Sequence, residues 1–183
     1  MSSNLISDTK AERCILRVPL FLFLFGFAMA KEYYYITPCG VLNITIEQEA
    51  VCACLWADVP VGECLGGKLK QLLDKYFATG MLPCDVPVKP QGTDFQKRVW
   101  RTLMQVAAGS TVSYSQLAAM CGRPKAARAV ANALHRNPIH VFVPCHRVVG
   151  ANGSLTGYAA GLERKAFLLE LEGAMQSLLR YQD

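Results

Sequence analysis

Acidic residues are missing from the middle of this 183-residue chain: from Phe95 through Leu162 there is no Asp and no Glu. Lys97, Arg98, Arg101, Arg123, Lys125, Arg128, Arg136 and Arg147 all fall in that stretch. Without acidic neighbours these cations do not serve local salt bridges, and they point to an anionic partner, nucleic acid first among them. Histidine is scarce too. His135, His140 and His146 are the only three, all late, and the eight cysteines contain no CxxC pair. That pattern argues against a Cys/His zinc finger, while an all-cysteine site using Cys52 and Cys54 stays open. Charged residues make up only 18% against 52% hydrophobic, which excludes a disordered chain.

No apolar run is long enough for an ordinary membrane span. The longest candidate, Val18 to Phe27, follows Lys10, Arg13 and Arg17 and precedes Ala28-Met29-Ala30, the outline of a secretory signal. Export conflicts with a nucleic-acid role, because an oxidising compartment consumes reactive thiols. Met29 as the true start resolves the conflict, so residues 1–28 are expected to be an upstream extension and not a working signal.

Strand-like alternation runs over Tyr33–Ile36, Val41–Ile46 and Ala50–Trp56, with turns at residues 37–40 and 47–49, predicting an antiparallel meander. Leu65, Leu69, Leu72, Leu73, Tyr76 and Phe77 recur at helical spacing and predict a helix over Gly66–Ala78. Pro83, Pro87 and Pro90 mark a linker. Capping boxes at Thr93/Gln96 and Ser113/Gln116 start two helices, the second ending near Cys121-Gly122. Pro124 is read as the first turn of a further helix that Asn137-Pro138 ends. On it Lys125, Arg128, Asn132 and His135 share one face, and Ala127, Val130, Ala131 and Leu134 the other. Two helices about a Gly-containing turn make a helix-turn-helix candidate, its cationic face free for phosphate or bases.

The remaining signal is Pro144-Cys145-His146-Arg147, after the apolar run Ile139–Val143. Read locally, Pro144 closes a strand and leaves an exposed Cys145 beside two cationic side chains, surroundings that favour a thiolate. Adjacent side chains on an extended chain diverge, so His146 need not reach Cys145 directly. A buried, inert cysteine is the competing reading.

Val143-Pro144-Cys145-His146-Arg147-Val148-Val149 resembles the active-site signature of the O6-alkylguanine-DNA alkyltransferases. Gly92-Thr93-Asp94-Phe95-Gln96, Val112-Ser113-Tyr114, Arg128-Ala129-Val130, Asn137-Pro138, Gly157-Tyr158 and Leu168-Leu169 with Glu172 follow the same family in order. The similarity is close over residues 92–173 and looser over 33–89. It implies an α+β fold: a small N-terminal α/β domain with an antiparallel sheet and mainly structural duties, then a mainly helical C-terminal domain with a winged helix-turn-helix. The divisions expected are 1–30 extension, 31–82 N-terminal domain, 83–91 linker, 92–175 DNA-binding and transfer domain, and 176–183 tail.

The resemblance further implies stoichiometric transfer of an alkyl group from O6 of a flipped guanine to Cys145. His146 would act through a bridging water, Glu172 orient it, Tyr114 protonate the leaving base and Asn137 brace the turn, with Glu170 a nearby competitor for Glu172. Arg128 would fill the vacated stack, with Arg123, Lys125, Ser113, Ala127 and Asn132 also on the DNA. Pro144, Val148, Tyr158, Ala159 and Ala160 would line the pocket, and backbone groups of Cys145 and Val148 would read the guanine edge. No cofactor or metal is implied, and the partner is double-stranded DNA met by a monomer in the cytoplasm, or the nucleus of a eukaryote. Ala159 and Ala160 stand where many relatives have a serine or small residue followed by glycine; the change removes one hydroxyl from the substrate oxygen and narrows the pocket against bulky alkyl groups. Arg136 and Ala107-Ala108-Gly109 also depart from the family. Three rivals make different predictions: a lesion binder that does not repair, which has no need of Cys145; a helix-turn-helix transcription factor; and an exported cysteine-rich protein.

Overall fold

The computed structural model describes residues 30–82 and 86–175. The readings made on residues 1–28, on 83–85 of the linker, on Cys14 and Cys84 and on the 176–183 tail lie outside them. The fold is α+β. Strands β1 (Lys31–Thr37), β2 (Gly40–Glu47) and β3 (Ala50–Ala57) form the expected meander. Alternation puts Leu42 and Ile44 of β2 into the core. Gln48 and Glu49, both at positive φ (49° and 64°), make the two-residue turn whose twist suits the flanking strands. A fourth strand, β4 (Glu63–Cys64), adds parallel to β1, giving the order β3-β2-β1-β4. Two exposed residues carry no periodicity, so no pattern in the sequence marks it.

Helix α1 (Gly67–Thr79) turns Leu73 and Tyr76 inward. It stops at Gly80, whose φ of 70° suits glycine. Glycine is needed there twice over, because a Cβ would overlap the Leu171 carbonyl. That close approach docks the end of α1 on the end of α5 (Leu162–Leu171).

Both capping boxes form. Thr93 Oγ1 accepts from Gln96 N and Gln96 Oε1 from Thr93 N, starting α2 (Asp94–Leu103); Ser113 and Gln116 do the same for α3 (Tyr114–Met120). Each box satisfies two otherwise orphaned backbone donors. The next helix, α4 (Ala127–His135), begins later than its Pro124 start was read. Pro124 instead follows Arg123 in a turn closed by Ala126 N–H to Arg123 O (2.8 Å), where its fixed φ serves the second turn position. Lys125 therefore sits in the turn and not on the helix face.

The run Ile139–Val143 is not a strand. Ile139 makes an isolated bridge to Cys54, and Val141 takes φ 70° as the chain turns. Parallel strands β5 (Val112–Ser113) and β6 (Val148–Val149) pair, which brings the start of α3 beside the Cys145 segment. One continuous apolar cluster runs from Leu42, Ile44 and Leu73 through Trp100 and Leu103 to Leu117, Ile139 and Leu168. Backbone bonds also cross between the two halves: Cys54 N–H to Pro138 O, and His140 N–H to Cys54 O. The linker residues Pro87 and Lys89 bond to Val51, so this part of the linker lies stitched along β3. Among the described residues no helix is long and apolar enough to cross a membrane.

Candidate active site

The fixed φ of Pro144 shapes the site. With φ −80° and ψ 63° it centres an inverse γ-turn, closed by Cys145 N–H to Val143 O at 2.8 Å. A single 3₁₀ turn over Cys145–Arg147 follows, with Arg147 N–H on Pro144 O. This segment is buried throughout, which corrects the exposed thiol expected from the sequence. Cys145 is 8% exposed, and burial pushes its thiol up to about 11, against the pull of the Asn137 hydrogen bond and the Lys165 charge. The resting sulfur is a thiol, with roughly one thiolate in 10⁴ at pH 7. The neighbouring cations do not activate it; they turn the other way.

Asn137 holds the sulfur. Its Nδ2 donates to Cys145 Sγ (3.1 Å) and to Val143 O (2.9 Å), while Oδ1 accepts from Ile139 N–H (3.0 Å). One buried amide thus fixes both ends of the turn and the nucleophile.

His146 is fully buried and faces Glu172, Nε2 to Oε1 at 3.0 Å. Arg147 clamps the same carboxylate, Nε to Oε2 and Nη2 to Oε1 at 2.8 Å each, and its Nη1 donates to Val106 O. Arg147 therefore leaves the set of cations available to an outside partner. Burial alone would raise the Glu172 carboxyl, but the bonds from His146 and Arg147 prevail and hold it at about 2. Burial keeps His146 below its usual range, against the attraction of Glu172. A neutral ring donating through Nε2 to an ionised carboxylate carries its lone pair on Nδ1. Nδ1 is buried and has no hydrogen-bond partner among the described residues. Glu170, the competitor for this position, is exposed.

Tyr114, at the start of α3, points its hydroxyl to Thr156 O (3.2 Å) and Gly157 O (3.5 Å). Gly157 has φ 62°, and a Cβ there would come within 2.5 Å of that hydroxyl, so the Gly157-Tyr158 pair reflects a close approach. Tyr158 is buried; Ala159 is exposed and Ala160 half-buried. Of the Cys145 and Val148 backbone groups, expected to read the base, Cys145 O accepts from Val148 N–H and Val148 O from Lys165 Nζ. Val148 and Pro144 are both buried.

Arg123, Lys125, Arg128 and Asn132 are exposed, and none of their side chains makes a hydrogen bond or ion pair among the described residues. Ala127 is half-buried, and Ser113 is committed to its capping box. No group of three or more His, Cys, Asp or Glu able to hold a metal stands among the described residues.

Four contributors escaped the sequence reading. Lys165 is fully buried and bridges Val148 O (2.5 Å) and Thr156 O (2.6 Å), tying the Cys145 segment to the Gly157 loop; burial lowers its ammonium to about 8. Arg147 was read only as a cation. Trp56 of β3 donates Nε1–H to Tyr158 Oη (3.2 Å), and Tyr76 of α1 donates to Glu172 Oε1 (2.8 Å). The N-terminal half therefore reaches the site, beyond the structural duties expected of it. A buried tyrosine hydroxyl needs a partner, which is the signal that Tyr76 offered.

Residues 94–174 match the family described as 6-O-methylguanine DNA methyltransferase, DNA binding domain. A methylated-DNA–protein-cysteine methyltransferase of Methanosarcina acetivorans is 54% identical over 102 residues, 56% of this chain and 65% of that protein. The chain thus spans just under two thirds of this curated relative. The O6-methylguanine methyltransferase of Mycobacterium tuberculosis superposes with a TM-score of 0.72 at 37% identity, covering 80% of this chain and 94% of that one. The same organism's protein in complex with DNA gives 0.72 at 36%, covering 84% and 99%. With the buried cysteine, histidine and glutamate in the order the signature requires, this chain belongs to the O6-methylguanine-DNA methyltransferase family.

Proposed function

We propose that the protein repairs O6-alkylguanine in double-stranded DNA by one irreversible transfer of the alkyl group to Cys145. The observation that carries this reading is the Asn137-held Cys145 thiol next to a neutral His146 backed by ionised Glu172. A thiol held near 11 needs a base during the reaction, and His146 Nδ1 is the lone pair offered. In this account the Cys145 proton passes through a water to His146, the S–C bond forms as the C–O6 bond breaks, and Tyr114 donates a proton to the departing guanine. Burial raises the Tyr114 phenol above its ordinary value, so it carries its proton until the departing guanine takes it. The product thioether does not hydrolyse, so each molecule acts once. The displacement needs no metal or organic cofactor.

A base inside a duplex must be extruded before attack. Arg128 of α4 fills the gap in this reading, with Arg123, Lys125 and Asn132 on the backbone. Arg128→Ala is expected to slow transfer from a duplex carrying O6-methylguanine by about 10- to 100-fold, since holding the extruded state is worth a few kcal/mol. Transfer from the same single-stranded oligonucleotide should change far less. Equal losses on both substrates would show that Arg128 does not serve extrusion.

The division into 31–82 and 92–175, a monomer, and a reducing compartment such as cytoplasm or nucleus belong to the same proposal. A binder that does not repair would leave the Asn137 to Cys145 bond without purpose.

A further inference from the structure

We propose that Tyr76 is a positioning residue for alkyl transfer: its hydroxyl, delivered by α1 from the other half of the chain, fixes the Glu172 carboxylate against His146. The inference rests on the repair reading above and assigns the N-terminal half a part in it.

The Tyr76 ring is buried, 1% exposed, and packs edge-on to Phe77 at 5.1 Å. Apolar packing alone would be met as well by phenylalanine. The hydroxyl instead donates at 2.8 Å to Glu172 Oε1, the same oxygen that faces His146 Nε2. Two other features fix the approach. Gly80 lets the end of α1 touch the Leu171 carbonyl, one residue before Glu172, and Tyr76 O caps the helix by accepting from Gly80 N–H. Burial and the adjacent carboxylate keep the phenol protonated, so it remains a donor. The charged and titratable groups facing this cluster are Arg147 of the 3₁₀ turn, Lys165 of α5, Tyr158 of the Gly157 loop and His140, which burial keeps neutral.

The physical effect has a definite sign. Each donor on Oε1 draws charge from the carboxylate and weakens its support of an imidazolium. Removing the Tyr76 hydroxyl makes Glu172 more basic, so His146 takes up a proton at higher pH and is lost as a base over a wider acid range. It also frees the carboxylate to rotate. Strengthening the same donor does the reverse.

The test is single-turnover alkylation of Cys145 across pH, read by mapping the Cys145 peptide. Two alkyl donors are used: a duplex carrying O6-methylguanine, and iodoacetamide, whose iodide leaves as the S–C bond forms and which needs no lesion recognition. For Tyr76→Phe the expected result is a rate about 3- to 10-fold lower at neutral pH, as for loss of one hydrogen bond to a charged group, with the acid limb moved to higher pH. Placing 3-fluorotyrosine at position 76 keeps the ring and strengthens the donor, and should move the limb to lower pH. If Tyr76→Phe does not fold, the fluorinated protein decides alone. Profiles that coincide with the wild type in both reactions overturn the role of Tyr76. Limb shifts with iodoacetamide, but no transfer from DNA by the wild type, would overturn the repair reading and leave the positioning role standing.

Discussion

Glu172→Gln is expected to lower the unfolding free energy by about 3 kcal/mol and to slow alkyl transfer at least about a hundredfold. Oε1 accepts from Tyr76, His146 and Arg147, and Oε2 from Arg147 Nε. A glutamine turns an NH₂ toward one of those donors and leaves Arg147, 7% exposed, as a buried cation without its counter-charge. The pH dependence follows from the carboxyl's depression from 4.5 to about 2. A depressed carboxylate contributes stability that is complete above its unfolded value and is lost as pH falls toward the folded one. At 1.36 kcal/mol per unit, that contribution is about 3 kcal/mol, lost between pH ~4.5 and ~2. Urea unfolding at pH 5, 3 and 2 checks it. The wild type should lose this increment and the glutamine variant should not; parallel losses would mean that the charge on Glu172 does not stabilise the fold.

Asn137→Ala should act through geometry instead of charge. The side chain makes three bonds within one turn; truncation leaves Ile139 N–H buried without a partner and Val143 O with only the Cys145 N–H. A penalty of about 1–3 kcal/mol follows from that one orphaned donor. Because Nδ2 also holds Sγ, transfer should fall about a hundredfold as the nucleophile leaves its position. Denaturant midpoints and single-turnover rates measured together decide this. A variant that unfolds with the wild type and transfers at its rate would remove Asn137 from the account.

Much of this arrangement is legible in the sequence, for identifiable reasons. Side-chain alternation at Leu42 and Ile44, and the Thr93 and Ser113 capping boxes, are local features whose physics is complete within a few residues, so β2, α2 and α3 start where expected. The Cys145 segment misleads because Ile139–Val143 has strand composition while Asn137 and the inverse γ-turn at Pro144 dictate otherwise. Its burial depends on contacts over long separations, which no local pattern carries. The same holds for Tyr76 and Lys165. Periodicity identified Tyr76 as an inward residue, but its hydroxyl partner lies 96 positions away. Lys165, on a helix with charged neighbours, reads as a solvated side chain; only the fold brings Val148 O and Thr156 O to its ammonium. The cations Arg123, Lys125 and Arg128 were visible through a plain absence, the acid-free stretch from Phe95 to Leu162.

The central claim is that Cys145 takes the alkyl group, and the most direct test is the intact mass of the protein, with peptide mapping, after incubation with a duplex carrying O6-methylguanine. The expected result is one added methyl per molecule, located on Cys145, retained on prolonged incubation and absent from Cys145→Ser. An unchanged mass despite tight binding to the lesion, or a methyl on another cysteine, would contradict it.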